Sequence, residues 1–109
     1  MPYSEEIDSR IRKIVSRWGI IDCRKMFGGV CYLIRGNMFC GVYKDYLILR
    51  LGESQAVEAL KTPRTRPFDI TGRPMKGWIM IEGGGVENGA LLEEWLDKAR
   101  NFAETLPPK

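Results

Sequence analysis

Between Val30 and Leu51 the apolar positions fall into three runs of six: Val-Cys-Tyr-Leu-Ile-Arg, Met-Phe-Cys-Gly-Val-Tyr and Tyr-Leu-Ile-Leu-Arg-Leu. They are parted by Gly36-Asn37 and Lys44-Asp45. Strand-prone runs separated by two polar residues predict an antiparallel meander, with Gly36-Asn37 suited to a turn that needs positive φ. Turns at 36–37 and 44–45 set Arg35 opposite Met38 and Tyr43 opposite Tyr46. Because side chains alternate across a strand, one face then carries Cys31, Leu33, Met38, Cys40, Val42, Leu47, Leu49 and Leu51. The other carries Val30, Tyr32, Ile34, Phe39, Gly41, Tyr43, Tyr46, Ile48 and Arg50. A meander usually keeps one face polar; here both are apolar, so both need cover. The aliphatic face suits helices, and the aromatic face predicts an interface with a second subunit or ligand. Lysine is a poor positive-φ residue, and a one-residue slip at Lys44-Asp45 would exchange the faces of the third strand.

Helical periodicity brackets the meander. Ile7, Ile11, Ile14, Val15 and Trp18 predict a helix over 4–18, capped by Ser4, opened by Glu5, Glu6 and Asp8, and stopped by Gly19. Arg24 to Gly29 leads into the first strand. A short helix begins at Glu53 or Ser54, runs through Ala56, Val57 and Leu60, and ends before Pro63. Arg64-Thr65-Arg66-Pro67 is a basic loop, Pro67–Ile70 an edge strand, and Gly77–Glu82 the last strand. Gly83 to Gly85 forms a flexible joint, and Asn88 caps a helix over 88–105 with the stripe Leu91, Leu92, Trp95, Leu96, Ala99, Phe102 and Ala103. The predicted fold is two-layer α+β: an antiparallel five-stranded sheet with helices, in the order α-β-β-β-α-β-β-α, spanning residues 1–109 as one domain.

The 109 residues are 44% hydrophobic and 28% charged, ordinary globular values. No apolar stretch is long enough for a secretory core or a membrane span, which predicts a cytoplasmic protein without membrane partners. Net charge is +3, unevenly distributed. Residues 1–80 hold 14 basic and 8 acidic side chains, and residues 81–109 hold 3 and 6. A basic body could steer toward nucleic acid, although short charge blocks more commonly form solvated helix faces. Cys23, Cys31 and Cys40 include no C-x-x-C pair and are expected to be reduced. The register above sets Cys31 and Cys40 diagonally on one face, within conceivable reach of a bridge, and leaves Cys23 as the most reactive thiol.

The chain has no histidine. That excludes Ser-His-Asp and Cys-His catalysis and nearly all mixed zinc sites. Carboxylates such as Glu93, Glu94 and Asp97 lie on amphipathic helices, and Gly83-Gly84-Gly85-Val86-Glu87-Asn88-Gly89 fits neither the phosphate-loop nor the dinucleotide pattern. No catalytic residue, metal or cofactor is predicted, and the chain reads as a non-enzyme. Tyr32, Phe39, Tyr43 and Tyr46 are candidate interface anchors. An alternative is a nucleic-acid module that uses the aromatic face with Arg64, Arg66, Arg73 and Lys76.

Met26-Phe27-Gly28-Gly29, Gly36-Asn37-Met38-Phe39-Cys40, Tyr46-Leu47-Ile48-Leu49-Arg50, Pro67-Phe68, Gly77-Trp78 and the closing helix around Trp95 resemble the TfoX N-terminal domain family of Sxy-type bacterial competence regulators. The resemblance covers most of the chain. It implies a secretion-chaperone-like fold of order α-β₃-α-β₂-α, a regulatory role through protein–protein contacts, a tendency to homodimerise, and no catalytic residues. The family motif maps to Met26, Phe27, Gly28, Gly29, Gly36 and Phe39. The larger regulators add a helical C-terminal domain, which is not expected in this chain.

Overall fold

The computed structural model describes residues 3–19, 21–26, 28–69, 72, 75–82 and 89–108, with the side chain of Met26 excepted. The elements run α1 (Glu5–Val15), a 3₁₀ turn at Ser16–Trp18, β1 (Asp22–Met26), β2 (Gly29–Ile34), β3 (Asn37–Tyr43), β4 (Tyr46–Arg50), α2 (Glu53–Ala59), β5 (Thr65–Pro67), β6 (Trp78–Glu82) and α3 (Gly89–Glu104). They build one antiparallel sheet of order β1-β2-β3-β4-β6-β5.

The sheet has six strands where the sequence predicted five, because Asp22–Met26 pairs with β2 as an edge strand. Its residues Asp-Cys-Arg-Lys-Met lack the alternating apolar pattern because Asp22 to Lys25 are exposed. The predicted edge strand at 67–70 forms earlier, at Thr65–Pro67. The glycine joint at 83–85 and the Asn88 cap lie outside the described residues.

Ser4 caps α1, its Oγ accepting from the Ile7 N–H at 3.3 Å. Ile7, Ile11, Ile14 and Val15 meet Leu92, Trp95, Leu96, Ala99 and Ala103 of α3 and Ala56 and Ala59 of α2 in one core over the sheet. The strands contribute Val30, Tyr32, Ile34, Phe39, Cys40, Val42, Leu47, Leu49, Ile79 and Ile81 to it.

This core corrects the predicted faces. The second hairpin has the expected register, with Tyr43 opposite Tyr46 and Val42 opposite Leu47. The first does not: Ile34 faces Asn37, so the turn is Arg35-Gly36, with φ of 51° and 85°. The register then shifts at Tyr32/Leu33, where Phe39 is the extra residue of a β-bulge and Tyr32 comes opposite Cys40. The net odd shift turns Val30, Tyr32 and Ile34 onto the helix-covered face and moves Cys31 and Leu33 to the other.

Contacts remote in sequence hold the displaced turn. The Arg35 guanidinium donates to the Glu104 carbonyl at 3.0 Å, and the Asn37 amide donates to the Pro107 carbonyl at 2.9 Å. Asn37 is thereby buried as a tie to the end of α3, a role incompatible with an exposed turn tip. Cys31 and Cys40 now lie on opposite faces, which removes the conceivable bridge; all three cysteines are free thiols.

Candidate functional site

The bulge removes half of the expected aromatic platform. Tyr32 is 2% exposed and Phe39 fully buried beneath the protein's own helices. Phe39 packs against Trp18 with ring centroids 5.9 Å apart. The Tyr32 hydroxyl donates to Asp8 Oδ1, and Asp8 Oδ2 accepts from Arg12 Nε at 3.1 Å. Burial, reinforced by the hydrogen bond to Asp8, raises the Tyr32 phenol well above its usual range. Both aromatics are core residues, so neither can anchor a contact between folded molecules. Burial likewise pushes up the Cys31 and Cys40 thiols, holding them as unreactive thiols.

The sheet face away from the helices is apolar at its centre, where Cys31, Leu33, Ile48 and Met80 stand outside the helix-bearing core. Each is at most 6% exposed, and long side chains of the same face stand around them. Met38 reaches over Gly41, where an added Cβ would stand 3.0 Å from Met38 Cε. Arg66 stacks 5.7 Å from the Tyr46 ring centroid and donates to its hydroxyl at 2.9 Å. Arg50 lies 5.4 Å from the Trp78 ring, which also meets Phe68 at 5.6 Å. Tyr43 and Tyr46 remain half-exposed at the margin. The face expected to need a second subunit is partly covered by its own side chains.

Exposed apolar surface gathers instead beside α2. Ala56 and Ala59 face the core, and their small side chains let this short helix lie close to β6. Val57 and Leu60, which the helix was expected to run through with Ala56, both face solvent. With Pro67, Met75 and Trp78 they line a groove of about 340 Å³. Gly52 and Gly77, with φ of 86° and 87°, set the start of α2 against the start of β6: the Gly77 carbonyl accepts from Leu51 N and Gly52 N at 2.7 and 3.1 Å. At the other end the Thr65 hydroxyl lies 2.9 Å from the Ala59 carbonyl and 2.7 Å from that of Thr62, closing the loop after α2. The Met75 N–H donates to the Phe68 carbonyl at 3.0 Å.

Lys76 lines the groove, while Arg64 (φ 69°) and Arg66 are exposed on the adjoining loop and strand. Arg73 lies outside the described residues. Of the family motif, Gly29 sits where an added Cβ would overlap the Val42 carbonyl oxygen, so glycine permits the close approach of β2 and β3. Gly28 (φ 76°) and Gly36 occupy turns, Met26 ends β1, and Phe27 is not among the described residues. The described residues include no group of three or more metal-ligating carboxylate or thiol side chains and no helix long and apolar enough to cross a membrane.

Three helices on one face of a six-stranded antiparallel sheet, with an apolar groove at one end, define an α+β domain. The TfoX N-terminal domain model matches residues 13–103, and the chain belongs to that family, a family of regulatory domains. No curated protein and no solved structure matches it significantly.

Proposed function

We propose that this protein is a non-enzymatic regulatory domain that acts through protein–protein contact, receiving an amphipathic, acidic segment of another protein in the groove beside α2. One observation carries the reading: Val57 (59% exposed), Leu60 and Met75, three of the four large apolar side chains exposed among the described residues, line this one groove. Clustered exposed apolar surface marks contact sites, whereas single exposed residues do not. Charge selects the partner. Lys76 lines the groove with Glu53, and Arg64 and Arg66 are exposed on the adjoining loop and strand, a basic excess that favours acidic side chains flanking an apolar anchor.

The test is affinity capture from the native cell, with and without nuclease, using the wild type, Val57→Asp and Met75→Asp. A protein that survives nuclease, is lost with both variants and binds the purified wild-type chain directly supports the groove. Equal recovery by the variants removes it. Recovery abolished by nuclease, with affinity falling steeply as salt rises, would favour nucleic-acid binding through Tyr43, Tyr46, Arg64, Arg66 and Lys76.

A further inference from the structure

The two edges of the sheet are built differently. β5 is three residues long and ends at Pro67, which has no N–H to offer a further strand. β1 is five residues long, contains no proline, and pairs with β2 through five consecutive positions without a register break. Asp22 to Lys25 are all exposed. In such a strand alternate residues turn their N–H and C=O groups away from the neighbour, leaving an open ladder.

Charged residues usually guard an edge against a second strand, but here their order is self-complementary. In an antiparallel pairing of two copies, outward-turned residues must face one another, so only registers centred on a residue position are allowed. Centring on Asp22 sets two carboxylates together, centring on Arg24 sets two guanidiniums together, and centring on Lys25 sets two ammoniums together. Centring on Cys23 sets each Asp22 opposite the second copy's Arg24, twice, with the neutral thiols in the middle. Opposite charges directly across a ladder attract and like charges repel. On the helix side each Cys23 is flanked by Arg12, whose guanidinium lies 3.9 Å from the sulfur and is already paired with Asp8.

We infer that β1 is a homodimerisation edge, and that two copies join antiparallel about a two-fold axis at Cys23 to continue one sheet across both. The inference does not depend on what the groove binds. β1 and β5 are opposite edges of the sheet, so the dimer presents its two grooves outward, where a partner with two binding segments gains avidity.

Sedimentation of the full chain from 5 to 200 µM, with charge-reversal variants, tests this. The wild type is expected to dimerise. Asp22→Arg and Arg24→Asp each convert both attractive pairs into repulsive ones and should weaken dimerisation by roughly tenfold or more; the double variant should restore it. Mild copper-phenanthroline oxidation should cross-link the wild type, Cys31→Ser and Cys40→Ser but not Cys23→Ser. Circular dichroism of each variant separates loss of pairing from loss of fold. A wild type that stays monomeric at 200 µM, single reversals that dimerise as the wild type does, or a double variant that folds but fails to recover would each overturn the assignment. Groove variants such as Val57→Asp should leave self-association unchanged, so failure of this proposal and failure of the groove are read separately.

Discussion

The two faces of the sheet are both apolar at their centres but differ in what keeps water from them. On one, Val30, Tyr32, Phe39, Cys40, Val42, Leu47 and Leu49 lie under three helices, and Tyr32 is tied into α1 through Asp8. On the other, Leu33, Ile48 and Met80 share the face with long side chains of the sheet, where Arg66 stacks on Tyr46 and Arg50 meets both the Trp78 ring and Phe102 of α3. A helical cover must fold with the sheet, because exposing that face would return much of the core to water. A cover of long flexible side chains can be rearranged at the cost of a few rotamers. Burial alone does not distinguish the two, since Ile48 at 5% exposure is as dry as Ile7. The distinction lies in whether the shielding groups are themselves held by the core.

The neighbours Phe39 and Met38 give the sharpest contrast. Phe39→Ala should lower stability by about 3–5 kcal/mol, read as a denaturant midpoint, because it opens a cavity in the helix-covered core. Met38→Ala, on the self-covered face, should cost less than about half of that. Equal losses would abolish the contrast.

Gly29→Ala should cost about 1–3 kcal/mol, because the added methyl meets backbone that cannot yield without parting β2 from β3. A neutral result in the same denaturant series would show that the hairpin is less tightly closed.

Tyr32→Phe leaves the shape of the core intact but strips Asp8 of a donor, and should cost about 1–3 kcal/mol at neutral pH. It should also change the alkaline limb. Folding holds the Tyr32 proton more firmly than the unfolded chain does, so this contribution is complete below the unfolded value of about 10 and falls as pH climbs above it. The variant should therefore lose less stability than the wild type between pH 9 and pH 11 in thermal melts.

The smallest effect is expected on the self-covered face. Arg66→Ala should cost under about 1 kcal/mol, since an exposed guanidinium stacked on a tyrosine contributes little. It should, however, increase the accessibility of Tyr46 to solvent quenchers of its fluorescence. A larger stability loss would mean that this cover, too, is integral to folding.

How much of this could be read in the chain varies with the range of the forces involved. The first helix with its Ser4 cap and the closing helix follow from local periodicity, and the second hairpin, with Tyr43 opposite Tyr46, from the spacing of its two apolar runs in spite of a lysine at positive φ; all form close to where the pattern sets them. The family is likewise legible in the spaced glycines and aromatics around the first hairpin. β1 was not, because an exposed edge strand needs no apolar alternation. The groove was not either: in so short a helix nothing local says whether Ala56 and Ala59 or Val57 and Leu60 face the core, and it is the alanines that do.

The sequence by itself determined that this is a small α+β domain without histidine chemistry, and that its central strands are apolar front and back. Only the tertiary structure decided which residues face which way. The preference for Gly36-Asn37 as a turn is a local one, worth about as much as a single hydrogen bond. It was outweighed by contacts seventy residues away in the chain, where Arg35 and Asn37 bind the end of α3, and by the Phe39 bulge that places both Tyr32 and Phe39 in the core. Alternation fixes relative orientation along one strand, but a single inserted residue reverses it, and the stability that decides the insertion comes from parts of the chain that pattern reading takes separately.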